Sequence, residues 1–183
     1  MDNLSDERLV DRLRAGDQHA LGLIYARYKR ALFAFCVRLL ADDASAQDAV
    51  HETFLKLYTS AAGIQHGGAL KTWLYRTARN ESLLFIRRNG RRAATDAESL
   101  WIEETPLSLL DESDSALVVR NVLQALKAEY REVLLLREYD LLSYAQIADI
   151  TGSTESSVKS RIFKARRALA SRLAPWFSER SAR

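Results

Sequence analysis

Only two prolines, Pro106 and Pro175, occur among the 183 residues of the chain. Because proline removes a backbone donor and clashes with the preceding helical turn, most of the chain is free of helix breakers. Apolar residues recur every three or four positions through residues 18–40, which predicts an amphipathic helix. No stretch shows the period-2 alternation of a strand convincingly. The sequence therefore predicts an all-α fold.

The same periodicity predicts several further helices. They cover residues 5–14, about 46–59, a segment from Leu70 towards residues 87–92, and then 115–127, 129–138, 144–150 and 155–173. Ser5 is expected to cap the first helix. Three of the seven glycines fall in residues 63–68, which predicts a loop there.

Charge divides the chain into three blocks. Residues 1–95 carry a net charge of +5, residues 96–115 carry −7 with no basic residue, and residues 116–183 carry +5. This pattern indicates two basic domains that favour polyanionic partners, joined by an acidic segment. Because that segment also contains apolar residues such as Trp101 and Leu109, we expect a tether that packs against another surface rather than a fully solvated linker.

Several classes of protein are disfavoured by the sequence. The N-terminus, MDNLSDERLV, has no apolar signal-peptide region, no apolar run is long enough to span a membrane, and the single Cys36 excludes an intramolecular disulfide. We therefore expect a soluble cytoplasmic protein. His19, His51, His66 and Cys36 lack metal-ligand spacing, and Ala69 stands where a phosphate-binding loop needs lysine. We expect no catalytic residue, no metal, no cofactor and no small-molecule substrate, and hence no enzyme.

Residues 144–169, YAQIADITGSTESSVKSRIFKARRAL, have the pattern of a helix-turn-helix. Ser143 and Thr154 are expected to cap its two helices, and Gly152 provides the turn between them. A buried stripe is predicted along the second helix, formed by Val158, Ile162, Ala165 and Leu169.

The second helix of this motif is strongly cationic, and no acidic residue occurs between Ser156 and Phe177. A charged surface helix of an ordinary bundle is the alternative interpretation, but exposed helices usually mix the two signs of charge. The pattern therefore favours docking on DNA. The candidate DNA-contacting residues are Ser156, Ser157, Lys159, Ser160, Arg161, Lys164 and Arg167.

Residues 126–169 as a whole resemble the C-terminal promoter-binding domain of the extracytoplasmic-function (ECF) sigma factors of bacterial RNA polymerase. Residues 43–58, DASAQDAVHETFLKLY, resemble the helix with which these factors grip the clamp of the polymerase, and residues 70–88 resemble their promoter-melting segment. The motifs occur in the family's order and cover essentially the whole chain. The sequence departs from the family pattern at Leu141, where glycine is frequent, and at Leu70, where phenylalanine is usual.

The resemblance implies a sigma factor that directs promoter recognition for a specific regulon. It implies an N-terminal domain over residues 1–92, an acidic linker over 93–115, a C-terminal domain over 116–175 and a tail over 176–183. The implied partners are core RNA polymerase, through the clamp of its large subunit and its flap, promoter DNA, and an anti-sigma factor.

Residue roles follow from the same resemblance. The clamp would contact Asp48, Glu52 and Leu55, whereas apolar spacing favours a core position for Phe54. The −10 element would contact Lys71, Arg76, Arg79, Asn80, Arg87 and Arg88, with the 63–68 loop available for a flipped base. The helix-turn-helix candidates would read the −35 element, with phosphate contacts from Arg131, Arg137, Arg166 and Arg167.

A second interpretation is a dimeric helix-turn-helix repressor or activator whose residues 1–92 sense a ligand. The N-terminal domain discriminates between the two, because a sensor needs a pocket and a dimer face rather than a basic helix. A pure interaction protein fits poorly with two basic surfaces.

Overall fold

A computed structural model describes residues 4–60, 64, 69–88 and 115–181. These residues form eight helices and no strand, which confirms the predicted all-α class. The predicted acidic linker lies outside the described part of the chain apart from Ser115, and so does the predicted 63–68 loop apart from Ile64. No helix among the described residues is long and apolar enough to cross a membrane.

Helices α1 to α4 form the first of two compact units. Their bounds are Asp6–Arg14 (α1), Gln18–Leu40 (α2), Asp43–Ser60 (α3) and Leu70–Arg88 (α4). The predicted cap is confirmed, because the Ser5 side chain accepts a hydrogen bond from the backbone N–H of Arg8. Asp17 caps α2 in the same way, and its hydrogen bond from the Arg12 side chain holds the pKa of the Asp17 carboxyl below its ordinary value.

The apolar stripes of α2, α3 and α4 pack against one another to form the core of this unit. The rings of Phe35 and Tyr75 meet edge to face with their centroids 5.5 Å apart. Phe54 is buried, as its spacing predicted. Tyr25 and Tyr58 share the three- and four-residue spacing of the apolar residues in α2 and α3, but they are exposed. Periodicity locates the centre of a buried face better than its edges, because the edges depend on where the neighbouring helix ends.

Helices α5 to α8 make up most of the second unit. Their bounds are Ser115–Ala125 (α5), Ala128–Glu138 (α6), Tyr144–Thr151 (α7) and Glu155–Ser181 (α8). Helix α8 is longer than the predicted 155–173. Trp176 is buried in a cluster with Val118 and Val122 of α5, so the packed part of α8 continues past residue 175, where the sequence placed the end of this domain.

Helices α7 and α8 form the predicted helix-turn-helix. The Ser143 hydroxyl accepts from the backbone N–H of Gln146 at 3.2 Å, and the Gln146 side chain accepts from the backbone N–H of Ser143 at 2.9 Å. Gly152 adopts a φ of +65° at the turn. Thr154 then caps α8 by accepting from the backbone N–H of Ser157 at 3.2 Å. Each local signal in the sequence thus has the structural role that was predicted for it.

Candidate nucleic-acid interface

The first turns of α8 present a polar and cationic face to solvent. Val158, Ile162 and Ala165 are buried, as the predicted stripe requires. On the other side of the helix lie six of the seven predicted −35 residues, all exposed except the half-buried Ser157: Ser156, Ser157, Lys159, Ser160, Lys164 and Arg167. Small hydroxyls near the start of the helix and longer cations one turn further along suit close approach to a groove.

Arg161, the seventh predicted −35 residue, is placed differently. Its side chain is only 18% exposed, and its Nη1 atom lies 3.8 Å from the Oε1 atom of Glu132, which is fully buried on α6. The Nε atom of Arg161 is buried and makes no hydrogen bond within the described part of the chain. The guanidinium is therefore turned towards α6 rather than towards the exposed face. This placement gives the buried Glu132 carboxylate a nearby cation. That Arg161 reads a base stays a prediction.

The arginines predicted to contact phosphates are in different environments. Arg131 is buried and donates a hydrogen bond to the backbone oxygen of Gln124 at 2.9 Å, so its side chain belongs to the interior and the expected phosphate contact is corrected. Arg166 pairs with Glu138 at the surface. Arg167 is exposed. Arg137 is half-buried and donates a hydrogen bond to the backbone oxygen of Leu142 at 2.8 Å. Of these four arginines, Arg167 is the one whose placement best suits a phosphate contact.

The environments of two aromatic residues of this unit were not predicted from the sequence. Phe163 is 66% exposed beside Lys164, although phenylalanine is usually buried. Helical spacing could have predicted this exposure, because Phe163 lies off the Val158–Ile162–Ala165 stripe. Tyr144, at the start of α7, has two cations over its ring, from Arg137 and Lys159.

The six predicted −10 residues all lie on α4, but they do not form a single row. Arg76, Asn80 and Arg87 share a face by helical spacing, and this face lies opposite the buried Leu74 and Ala78. The remaining residues lie elsewhere on the helix. Arg79 donates to the side-chain oxygen of Asn80 at 3.3 Å, Lys71 lies over the Tyr75 ring at 5.9 Å, and Arg88 is exposed in the last turn.

A buried acid also lies within this basic helix. Glu81 is largely buried and forms an ion pair with Lys56 of α3, which remains half-exposed. The pair fixes α3 against α4 at the level of Arg79 and Asn80. No role was predicted for Glu81, because the sequence does not show which lysine of a neighbouring helix faces it.

The three residues predicted to bind the polymerase lie on one exposed face of α3. Asp48, Glu52 and Leu55 follow one another at i, i+4 and i+7, and Leu55 is 45% exposed. Beside them an open cavity of about 560 Å³ lies between α2 and α3, lined in part by Tyr25, Lys29 and Asp48. An exposed leucine with carboxylates around it fits an interface that has an apolar centre and a polar rim. The described residues contain no group of three or more histidine, cysteine or acidic side chains that could hold a metal.

Two protein-family models match this chain. A model described as Sigma-70 region 2 matches residues 24–92, and one described as Sigma-70, region 4 matches residues 116–169. The RNA polymerase sigma-H factor of Pseudomonas aeruginosa is 33% identical over 186 residues, covering 95% of this chain and 96% of the relative. The ECF RNA polymerase sigma-E factor of Escherichia coli K12 is 30% identical, covering 95% and 97%. The chain belongs to the extracytoplasmic-function sigma factors of RNA polymerase.

As a sigma factor, the protein binds core RNA polymerase and directs promoter recognition in transcription initiation. The alternative of a dimeric repressor or activator with a sensor domain is not favoured. The clamp and −10 candidates fall inside the region 2 match, and the −35 candidates fall inside the region 4 match. The match to region 4 ends at residue 169, so the buried Trp176 lies beyond it.

Solved structures of similar fold support the same family. The structure described as CnrH in complex with the cytosolic domain of CnrY has a TM-score of 0.73 at 25% identity, covering 94% of this chain and 99% of that one. The sigma factor RpoE of Bartonella quintana, in complex with the anti-sigma factor NepR, has a TM-score of 0.65 at 29% identity, covering 84% and 96%.

Proposed function

We propose that this sigma factor reads the −35 element with the exposed face at the start of α8. Lys159 and Lys164 would donate to base edges or to the flanking phosphates, and Phe163 would contact a thymine methyl group. The hydroxyls that complete this face are Ser156, Ser157 and Ser160. The observation that carries the proposal is the burial of the apolar stripe of α8 against its own domain, which leaves a face with no acidic residue from Ser156 to Phe177.

Arg167 is assigned a different role within the same surface. It is exposed one turn beyond Phe163, further from the start of the helix. In a helix-turn-helix the N-terminal residues of the second helix enter the major groove, so a cation further along faces the backbone. We therefore propose a phosphate contact for Arg167, with no dependence on the bases.

For the −10 element we propose a surface centred on Arg76, Asn80 and Arg87. Melting requires bases to leave the stack and cations to neutralise the strand, and these residues offer two cations and an amide on one face. Arg79, Lys71 and Arg88 would add charge at its flanks. The predicted role of the 63–68 loop stays a prediction.

For core polymerase we propose that the Asp48, Glu52 and Leu55 face of α3 binds the clamp, while the C-terminal domain meets the flap. The domain limits predicted from the sequence at residues 92 and 115 stay part of this proposal, whereas the C-terminal domain is proposed to extend at least to Trp176, which packs on α5. Because CnrH and RpoE were solved with CnrY and an anti-sigma factor, we also propose an anti-sigma factor as a partner. The protein would work in the cytoplasm, where the polymerase is, and would itself catalyse no reaction.

Run-off transcription tests the proposal. The purified full chain is added to core RNA polymerase on fragmented genomic DNA, and the starting points of the transcripts are aligned. We expect a shared −35 and −10 pair upstream of the starts, and loss of these transcripts for a Lys159→Ala/Lys164→Ala variant. Arg30→Ala, an exposed cation of α2, is the matched control. Transcripts that persist with the double variant would contradict the assignment of α8.

A further inference from the structure

Tyr144 lies where α6, α7 and α8 meet. It is the first residue of α7 and is half-buried. The guanidinium carbon of Arg137, from α6, lies 4.8 Å from the centroid of its ring, and the ammonium nitrogen of Lys159, from α8, lies 5.4 Å from the same centroid. Both distances are within the range of cation–π attraction. One ring thus binds two cations from the two neighbouring helices.

The ring itself is firmly held. Ser143 and Gln146 form the capping box that fixes the start of α7. The Nη1 atom of Arg137 donates a hydrogen bond to the backbone oxygen of Leu142 at 2.8 Å, two residues before the ring. Tyr144 therefore has a fixed backbone and one cation already fixed beside it.

Lys159 is held less firmly than Arg137. It is exposed, and within the described part of the chain it forms no ion pair. A lysine side chain has many rotamers, and the freedom it loses on binding weakens the complex. The negative face of the Tyr144 ring favours the rotamers that bring the ammonium group over it. The ring therefore reduces the freedom that Lys159 has left to lose when DNA binds.

We propose that Tyr144 is a positioning residue for −35 recognition, holding Lys159 in place through its aromatic face. The inference rests on the proposed role of α8 in reading the −35 element. In this proposal the aromatic face of Tyr144 holds Lys159, rather than the hydroxyl or the bulk of the side chain.

Substitution at Tyr144 separates these features. The variants are assembled with core RNA polymerase, and affinity is measured for a promoter fragment with an intact or a scrambled −35 element. Tyr144→Phe keeps the ring and is expected to stay within about twofold of wild type, whereas Tyr144→Leu should weaken −35-dependent binding about fivefold. Tyr139→Leu, at an exposed tyrosine just after α6, is the matched control and should change nothing.

A double-mutant cycle connects the effect to Lys159. In a Lys159→Met background, Tyr144→Leu should have less than about a twofold effect, because the cation that the ring holds is gone. An unchanged fivefold loss in that background would overturn the proposal in favour of a packing role. Equal damage from Tyr144→Phe would overturn it in favour of the hydroxyl.

Folding and the underlying function are checked separately. If Tyr144→Leu lowers the melting temperature, pentafluorophenylalanine at position 144 provides a ring of nearly the same shape with its electrostatic sign reversed. It should bind about two- to fivefold more weakly than Tyr144→Phe, and equal binding would overturn the proposal. If Lys159→Met alone leaves −35 binding unchanged, the proposed role of Lys159 fails. If it weakens binding while all the ring variants bind like wild type, only the Tyr144 proposal fails.

Discussion

Glu132 of α6 is fully buried, and the guanidinium of Arg161 on α8 lies 3.8 Å from its carboxylate. A carboxylate removed from water is strongly unfavourable unless a cation or hydrogen-bond donors accompany it. Arg161 approaches from the helix that also carries Lys159 and Lys164, so the same helix provides both the proposed DNA-binding face and a counter-charge for its own domain. The pair fixes α8 on α6 at the level of the proposed −35 contacts.

Arg161→Ala is therefore expected to act mainly on folding. Removing the guanidinium takes away a cation near the buried Glu132 carboxylate, and the free energy of unfolding should fall by about 1–2 kcal/mol. Urea unfolding of the full chain, with hydrogen exchange of the α8 amides, measures the loss and places it in this domain.

A second substitution identifies the cause of that loss. Adding Glu132→Gln to Arg161→Ala should recover part of the stability, since the buried charge is removed. Arg161→Ala with normal stability, and with weakened binding confined to one base position, would instead support the prediction that Arg161 reads a base.

Arg167→Ala should weaken DNA binding without changing its sequence preference. A cation that faces a phosphate releases counterions, so the slope of log affinity against log salt concentration should decrease in magnitude by about 1. Titrating promoter and scrambled duplexes with the holoenzyme over a range of salt concentrations measures both quantities. A loss of affinity for the promoter alone, with an unchanged slope, would assign Arg167 to base reading.

Leu141→Gly should stabilise the C-terminal domain. Leu141 has a φ of +54° and is 79% exposed, so the leucine bears the steric strain of the left-handed region and buries little surface in return. Glycine relieves that strain but gains freedom in the unfolded chain, so we expect a net gain of up to about 1 kcal/mol.

The melting temperature of the variant provides the measurement. Ala145→Gly, at an exposed helical position four residues later, is the matched control and should destabilise by about 1 kcal/mol. If both substitutions lower the melting temperature, the leucine contributes something other than strain at this turn.

Leu55→Ala should weaken the binding of core RNA polymerase in the absence of DNA. Fully burying a leucine side chain is worth about 1.5–3 kcal/mol, and Leu55 lies between the carboxylate Glu52 and the exposed Tyr58 on the same helix. Competition for core enzyme against labelled wild type gives the affinity. Leu84→Ala, an exposed leucine on α4, should compete as well as wild type; equal loss for the two variants would count against the clamp assignment.

The helices were predictable because the signals that start and stop them are local. Ser5, Ser143 and Thr154 each cap the helix that follows, and Gly152 adopts the positive φ that its turn requires. Apolar periodicity then identified the buried stripe of α8. These features depend on neighbours within about four residues in the chain.

The environment of individual charges was not predictable in the same way. Arg131 and Arg161 look like surface cations in the sequence, yet one is buried against Gln124 and the other faces Glu132. Their partners are 7 and 29 residues away in the chain, and a helical pattern does not show which residue of a neighbouring helix lies opposite. For the same reason Glu81 and Tyr144 received no predicted role.

If the exposed cationic start of α8 reads the −35 element, the effect of scrambling that element must depend on Lys159 and Lys164. Holoenzyme affinity is measured for a promoter with its own −35 element and for one with that element scrambled, using wild type and Lys159→Ala/Lys164→Ala. We predict that scrambling weakens wild-type binding by at least about tenfold and weakens the double variant by less than about twofold. An equal loss for both proteins would contradict the claim, because the −35 element would then be read by another surface.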